Sequence, residues 1–313
     1  MFQSILFYAL FLVCVPGEKF DPKKVDYCKK KCPFETPIMS SGCNCELRGT
    51  RSETDLDKYM EFRKVVIDEH NYLRNFYASG KETKGSSKAV ADMLVMNYDV
   101  ELEYLARCYG RSTFDGYHDD CRMLHDDRLT AQNLGGLRFK NNSLSLIKIH
   151  VEDWYSEVKD MEPDMYEKFR LRNDKIMTGH FAAMCWGSAN TVGCARIYTS
   201  DTIKDKFTKP TMVQALICNY SAKGVKGIVE GADERMFIQG PPCSKCPPAF
   251  SKCNSKYTSL CGELEPIPTD EPYDFDNPNG KPRDKPRGKP SNSSKICGKS
   301  TILILASVLS MFF

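Results

Sequence analysis

Cysteine is the residue that most constrains how this chain can fold, because fifteen cysteines occur in 313 residues and several stand in tight groups. Cytosolic chains rarely carry so many without metal-binding spacing, so the count favours an oxidising compartment and a framework of disulfides. The first group, Cys28, Cys32, Cys43 and Cys45, lies in a loop-like segment that disulfides would have to order. The alternative is a zinc knuckle, which the secretory character of the chain disfavours.

Both ends of the chain carry apolar runs that are short for a bilayer span. Residues 5–15 form a run of signal-peptide length that is followed by small residues, so we expect residues 1–17 to be a signal peptide. Residues 301–313 are too few to cross ~30 Å of hydrocarbon as a helix. With the small residues that precede them, residues 295–313 are similar to a GPI-attachment signal. The alternative is a tail that associates with membranes or with another protein.

The charge balance limits the possible partners of the protein, and the composition of residues 262–294 limits the structure that this segment can form. A net charge of +3 without a basic stripe or a nucleic-acid motif argues against nucleic acid as a partner. An apolar content of 41% is enough for a sizeable core. Residues 262–294 show no core pattern, since an acidic half precedes a basic half and prolines recur throughout. We therefore expect residues 262–294 to form a disordered, extended stalk.

Apolar spacing predicts four helices followed by strands. A capping box at Thr54 and Asp57 is expected to begin the first helix, which ends at Gly80. The second helix is expected to pass through residues 91–106, the third through residues 144–161 and the fourth through residues 173–186. Residues 191–198 and 212–220 are β-rich.

Two stretches at the junction of helices and strands carry a family resemblance. Residues 179–186 are Gly-His-Phe-Ala-Ala-Met-Cys-Trp, and residues 218–224 are Cys-Asn-Tyr-Ser-Ala-Lys-Gly. They resemble the two signatures of the CAP superfamily, which includes cysteine-rich secretory proteins and antigen-five venom allergens. His-Asn-x-x-Arg at residues 70–74 and Gly-Tyr-His-Asp-Asp-Cys-Arg at residues 116–122 add to the resemblance. It implies a disulfide-rich α/β fold, an α-β-α sandwich with a small antiparallel sheet over residues 18–236, followed by a cysteine-rich hinge at residues 237–261.

The resemblance also implies a central cleft with two histidines and two acidic residues. Carried across residue by residue, these positions are His118, Gln132, Glu157 and His180. Two imidazoles and a carboxylate form a partial shell for zinc, so we expect weak metal binding by His118 and His180, with Glu157 as a further ligand. No cofactor is expected to be required. Gln132 replaces one acid and cannot serve as a general base. The alternative is that these four side chains only hydrogen-bond across the cleft and brace its loops.

The disulfides that the resemblance implies account for most of the cysteines. The expected pairs are Cys28–Cys43, Cys32–Cys121, Cys194–Cys218 and Cys45–Cys108, with the hinge residues Cys243, Cys246, Cys253 and Cys261 paired among themselves. In antigen-five proteins the partner of the cysteine that corresponds to Cys45 stands near the position that Phe114 occupies here. Cys108 precedes that position by about two helical turns, so we assign it as the partner of Cys45. Cys185 is then left as a buried free thiol.

The sequence also predicts sites of N-glycosylation. Sequons occur at Asn141, Asn219 and Asn292; Asn141 and Asn292 are the expected glycosylation sites, because Asn219 lies in an enclosed signature.

The sequence contains no Gly-x-Ser-x-Gly elbow, no His-Glu-x-x-His and no P-loop. We therefore expect a secreted or GPI-anchored binding protein, not an enzyme. The resemblance suggests a sterol, a fatty acid or an extracellular protein as the partner. The alternative is a metal-dependent hydrolase that uses His118, Glu157 and His180.

Overall fold

The structure is a computed structural model that describes residues 19–278, apart from residues 34, 46–52, 113, 115, 173–175, 205–209 and 225–228. The described residues fall within one compact unit, Met1–Asn279. The predicted signal peptide, residues 279–294 of the predicted stalk, the C-terminal tail and Asn292 lie outside the described residues. No helix in the described part of the chain is long and apolar enough to cross a bilayer.

The first long helix, α1, spans Tyr59–Ala78. Phe62, Val66 and Tyr77 lie on its buried face at helical spacing, and Gly80, with a φ of 76°, follows its end.

The predicted capping box does not cap α1, so this expectation is wrong. The N-cap residue is Lys58, which makes no side-chain cap hydrogen bond. Thr54 and Asp55 instead bind Arg196, whose guanidinium forms a buried ion pair with Asp55 (2.6 Å between Nη2 and Oδ1). A buried ion pair with a distant strand therefore replaces the local cap.

Three buried polar residues of α1 hold the surrounding loops. Arg74 donates hydrogen bonds to the main-chain carbonyls of residues 94, 184, 186 and 189. Asn71 forms two hydrogen bonds with the backbone of Met96, and His70 Nε2 lies 2.9 Å from the hydroxyl of Tyr220. The expectation that this motif is buried, hydrogen-bonded structure is confirmed.

The second helix, α2, spans Val100–Ser112, so the prediction of helix from residue 91 is wrong for its first part. Residues 91–96 are buried but not helical, because their backbone groups bond to distant segments; the N–H of Val95, for example, donates to the carbonyl of Cys261. Asp99 Oδ1 accepts hydrogen bonds from two N–H groups of the first turn of α2. A capping aspartate therefore starts the helix after this extended segment.

The central sheet has four strands in the order β3-β5-β6-β4. The strands are β3 (Asn97–Tyr98), β4 (Ala131–Leu137), β5 (Thr191–Lys204) and β6 (Pro210–Ser221). The pairs β5–β6 and β6–β4 are antiparallel, whereas β3 pairs with β5 in parallel. The expectation of an entirely antiparallel sheet is therefore corrected at β3. A second, two-stranded sheet joins β1 (Lys31–Cys32) to β2 (Ile38–Met39).

Helices cover both faces of this sheet and give the expected α-β-α sandwich. Helix α2 packs against β5 and β6. Helix α3 (Ser145–Ser156), α4 (Gly179–Cys185) and α1 pack together, and α4 contacts β4. A short 3₁₀ helix, Glu157–Asp160, follows α3, and α4 is shorter than predicted. These two breaks place Glu157 and His180 at the ends of their elements, where their side chains meet.

The described residues contain six disulfides. They are Cys28–Cys43, Cys32–Cys121, Cys45–Cys108, Cys194–Cys218, Cys243–Cys253 and Cys246–Cys261. Cys185 is a buried free cysteine. The cysteine-rich hinge is not set apart from the sandwich, because Tyr257 and Leu260 belong to the main core.

The sequence predicted a disordered stalk that begins at Gly262, but the structure contradicts this starting point. Residues 262–278, here called the strap, run from the main core, against which Leu264 and Ile267 pack, to α2, where Phe275 is buried against Tyr104. Arg63 donates to the carbonyls of Pro268 and Asp270. Aromatic contacts and hydrogen bonds to main-chain carbonyls therefore hold the strap, which is the first half of the predicted stalk. A prediction of disorder from composition does not take such contacts into account.

Candidate functional site

A cavity of about 700 Å³ opens between β4, α4 and three flanking loops. It contains three of the four predicted cleft residues, His118, Gln132 and His180. Its remaining lining comes from residues 122, 169–172, 176–179, 230, 232 and 233. The fourth predicted residue, Glu157, lies behind His180 and lines a neighbouring groove of about 300 Å³.

His180 stands on the first turn of α4 and is held from two sides. Its Nδ1 lies 2.6 Å from Glu157 Oε1, and the other oxygen of Glu157 accepts the N–H of Phe181 at 3.1 Å. The indole of Trp154 is stacked on the imidazole with ring centroids 6.0 Å apart. Asn133 donates to the carbonyl of His180. These contacts fix the ring and leave Nε2 as the nitrogen not engaged by Glu157.

Gln132 joins the second histidine to the sheet. Its Oε1 accepts the N–H of Asp119 at 3.0 Å and lies 3.2 Å from His118 Nδ1. Its Nε2 donates to Asn219 Oδ1 at 3.0 Å. Asn219 is fully buried and donates onward to the carbonyl of Leu102, so this sequon is enclosed, as the sequence suggested. The side-chain amide of Gln132 thus links the loop of His118, through its oxygen, to strand β6, through its nitrogen.

The pKa of His118 lies below its ordinary value. Burial is the main cause, and the positive charge of Arg122 adds to it, while the hydrogen bond with Gln132 acts in the opposite direction. The imidazole of His118 is consequently neutral at neutral pH, which is the form that binds metal ions.

The cleft fits a metal ion only in part. Both Nδ1 atoms are engaged, and the two Nε2 atoms remain as ligands. Glu157 Oε1 lies against His180 Nδ1 and the residue lines the groove outside the cavity, so in this structure its carboxylate orients the imidazole. Its role as a further metal ligand stays a prediction. Among the described residues, the only three metal-ligating side chains close together are Cys243, Cys246 and Cys261, which are disulfide-bonded. In the described part of the cleft, no third metal-ligating side chain stands close enough to the two imidazoles to complete the ligand set that zinc sites use.

Sequence reasoning missed Glu230, which lines the same cavity. Its backbone has a φ of 61°, and its Oε1 would lie 3.1 Å from a Cβ placed on Gly179. Burial raises the pKa of Glu230 to about 8, and the charge of Glu157 adds to that effect, while Arg122 opposes it. Strongly perturbed carboxyl groups in cavities mark functional sites. No motif or periodicity surrounds Glu230, so its position became visible only in the fold.

Arg122 is the second cavity residue that the sequence did not single out for the cleft. It follows Cys121 and donates to the carbonyl of Asp119. Its buried Nε has no hydrogen-bond partner in the described structure, and burial lowers the pKa of the guanidinium. Thr178 Oγ1, on the same cavity wall, is also buried without a partner. The floor of the cavity thus offers donors that a ligand could satisfy.

Three large apolar side chains are exposed at the rim of the cavity, which Arg170, Arg172 and Asp233 also line. Leu171 and Met177 are 62% and 59% exposed, and Ile176 is 38% exposed. Large aliphatic side chains exposed together at a cavity mouth are typical of sites for hydrophobic ligands or partners.

Comparisons with known proteins agree with this architecture. The sequence matches the family described as "CAP: Cysteine-rich secretory protein family" over residues 67–220. "Venom allergen 5" of Polistes fuscatus is 30% identical over 216 residues, which cover 64% of this chain and 95% of that relative. The chain belongs to the CAP family. "CRISP/Allergen/PR-1" of Trittame loki is 31% identical over 251 residues, which cover 74% of this CAP chain and 54% of that relative.

The CAP fold is also found among solved structures. The crystal structure of Na-ASP-1 matches with a TM-score of 0.51 at 22% identity, covering 64% of this chain and 47% of that one. This similarity supports the fold. The chain spans about half the length of the Trittame loki relative and of Na-ASP-1.

The chemistry available to this CAP cleft is limited. The His180–Glu157 pair has the geometry of a base and its orienting carboxylate. In the part of the chain that the structure describes, however, no hydroxyl or thiol is hydrogen-bonded to His118 or His180. The described cleft thus contains the base of a hydrolytic site without a nucleophile.

Proposed function

We propose that this protein is a secreted CAP protein that binds a small hydrophobic ligand, such as a sterol or a fatty acid, in the cavity of about 700 Å³. The observation that carries the proposal is the division of this cavity into a rim with three exposed apolar side chains and a polar floor. Its volume lies within the ~300–1,000 Å³ of small-molecule sites. A ligand with an apolar body and one polar end would cover Leu171 and Met177 and reach Arg122.

The floor supports binding rather than turnover. His180, Gln132 and Glu157 are each engaged by hydrogen bonds that brace neighbouring elements. These side chains hold the walls of the cavity in place and include no nucleophile that could attack a ligand.

Disulfides support a location outside the cytosol. The disulfides of the described residues fit an oxidising compartment. Display through a GPI anchor remains a prediction from residues 295–313, and N-glycosylation remains a prediction at Asn141, which lies in the loop between β4 and α3. Phosphatidylinositol-specific phospholipase should release the protein from expressing cells; retention on the cell surface, with a control substrate released, would contradict the anchor.

Native mass spectrometry of the secreted protein, purified without chelator, tests the ligand proposal. We expect a stoichiometric mass increment that matches a sterol or fatty acid, and lipid analysis of the extract would tell the two apart. Met177→Asp should weaken retention by about tenfold, because it places a charge at the apolar rim. The matched control is Met39→Asp, since Met39 is similarly exposed (50%) on β2, away from the cavity. Equal ligand occupancy in both variants would refute the proposal.

A second candidate is the metal-dependent hydrolase, which the Nε2 atoms of His118 and His180 favour. A zinc-sized adduct that disappears in His180→Ala would show a metal site. Hydrolysis of a test ester that survives both chelator and His180→Ala would eliminate this candidate. If neither lipid nor metal is detected, a protein partner of the outer surface becomes the leading hypothesis.

A further inference from the structure

Arg122 is a cation of the cleft cavity that is not balanced by an ion pair. Its Nη1 donates to the carbonyl of Asp119, and its buried Nε has no hydrogen-bond partner. Within the described ranges of the chain, no carboxylate forms an ion pair with this guanidinium. Burial lowers its pKa more than the charge of Asp119 raises it, so the neighbouring acid compensates the cation only in part.

The other two arginines of the cavity lining are already paired. Arg170 is ion-paired with Glu162 and Asp164, and Arg172 is ion-paired with Glu162. Among the described residues that line the cavity, Arg122 is therefore the arginine whose charge remains available to a ligand.

The two acidic side chains of the lining oppose an anion only weakly. Asp233 is ion-paired with Lys168. Glu230 forms no hydrogen bond or ion pair with the residues that the structure describes. Because burial raises its pKa to about 8, its carboxyl group carries a proton at neutral pH and can donate a hydrogen bond. Thr178 Oγ1, buried without a partner on the same wall, is a further donor.

The two histidines present acceptors instead of donors. Each Nδ1 faces a side-chain oxygen, that of Gln132 for His118 and that of Glu157 for His180. In the neutral rings each Nε2 therefore carries a lone pair. Such a lone pair accepts a hydrogen bond from a hydroxyl group, so a hydroxyl-ended ligand is the alternative that an experiment has to separate.

From this arrangement we infer that the polar end of the ligand is a carboxylate held by Arg122 and Glu230, so that the cavity selects a monocarboxylate with an apolar body over a hydroxyl-ended molecule such as a sterol. The inference rests on the function proposed for the cavity. Hydrogen bonds in which the acceptor or donor is ionised are about twice as strong as neutral ones. A hydroxyl-ended ligand would remove water from Arg122 without supplying a counter-charge, which is costly. A phosphate monoester carries nearly two charges, and a single cation would balance only one of them.

Isothermal titration calorimetry of the secreted protein with decanoate and with decan-1-ol at neutral pH tests the inference, because the two probes share an alkyl chain and differ in their polar end. We expect decanoate to bind at least about tenfold more tightly, the equivalent of one charge-assisted hydrogen bond. Arg122→Met should bring the two affinities together. Arg170→Met is the matched control: Arg170 lines the same cavity but is already ion-paired, so the preference should persist.

A second measurement uses the parent protein and so does not depend on a variant that folds. In carbon-13 NMR of decanoate labelled at its carboxyl carbon, the bound carboxyl group should titrate at a lower pH than the free acid, because Arg122 favours its ionised form. A bound carboxyl group that titrates at the pH of the free acid, or above it, would overturn the inference.

The calorimetric outcomes also separate this inference from the proposed function. Equal affinity for decanoate and decan-1-ol, tighter binding of cholesterol than of decanoate, a preference that survives Arg122→Met, or an equal loss of preference in Arg170→Met would each overturn the inference and leave the proposed function standing. Absence of binding by decanoate, decan-1-ol and cholesterol alike would overturn both.

Discussion

Replacing Glu230 by glutamine tests how the cleft is held together, because this carboxyl group is buried against α4 with its pKa raised from 4.5 to about 8. Between those two pH values the unfolded chain loses the proton and the folded chain keeps it. The folded state is therefore favoured fully below about pH 4.5, and this part of its stability is lost as the pH rises towards 8. At about 1.4 kcal/mol per pKa unit, the loss approaches about 4–5 kcal/mol at pH 8.

Glutamine has the same shape and cannot ionise, so Glu230→Gln removes this pH dependence. We expect the variant and the parent to have similar free energies of unfolding at pH 4, and the variant to be more stable by several kcal/mol at pH 8. Urea unfolding with intact disulfides at pH 4, 6 and 8 measures this difference directly. Other titrating groups contribute equally to both proteins and cancel in the comparison.

Glu234→Gln is the control, since Glu234 is an exposed carboxylate in the same loop. A stability difference for Glu230→Gln that stays constant from pH 4 to pH 8 would refute the reasoning. So would an equal gain from Glu234→Gln, because that gain would reflect net charge rather than burial.

Three further predictions concern buried groups. Arg74→Met should lower the free energy of unfolding by about 3–5 kcal/mol in denaturant titration, because it leaves buried carbonyls without a donor; a smaller loss than for an exposed arginine such as Arg235 would contradict this. Cys185, whose pKa burial raises to about 12, should resist iodoacetamide at pH 8 in the native protein and react only after denaturation, as mass spectrometry would show. Burial lowers the pKa of His70 to about 4, so its imidazole NMR signals should not shift between pH 8 and 5.5, and the protein should lose stability as the pH falls from 6.5 towards 4.

The parts of the fold that sequence predicted well were those with a local signal. The periodicity around Phe62 and Tyr77 placed α1, and the signature at residues 179–186 placed His180 at the cleft. The failures occurred where tertiary bonds override local preference. Residues 91–96 have helical spacing, but their backbone bonds to the hinge, and Thr54 bonds to Arg196 instead of capping a helix.

The cleft residues also fall into those with a local sequence signal and those without one. Its histidines stand in motifs, so the sequence could name them, whereas Glu230 reaches the cavity through a left-handed turn that follows a strand signature. The strap was missed for a related reason: its proline-rich composition predicts disorder, and only contacts such as that of Phe275 with Tyr104 hold it. Such contacts depend on partners far away in the sequence, which composition does not encode.

Gln132 bears on the proposal that the cleft binds a ligand with an apolar body. A glutamate at this position would place a second carboxylate where Asn219 Oδ1 now accepts a hydrogen bond from the amide. With glutamine, one side chain binds the loop of His118 and the β6 strand at once, and it adds no charge to the cavity. Burial keeps Glu230 protonated at neutral pH and His118 unprotonated. Among the groups of the polar floor, Gln132, Thr178 and the protonated Glu230 carry no charge and Arg122 carries one. A ligand with an apolar body and one polar end can therefore enter while desolvating few ions.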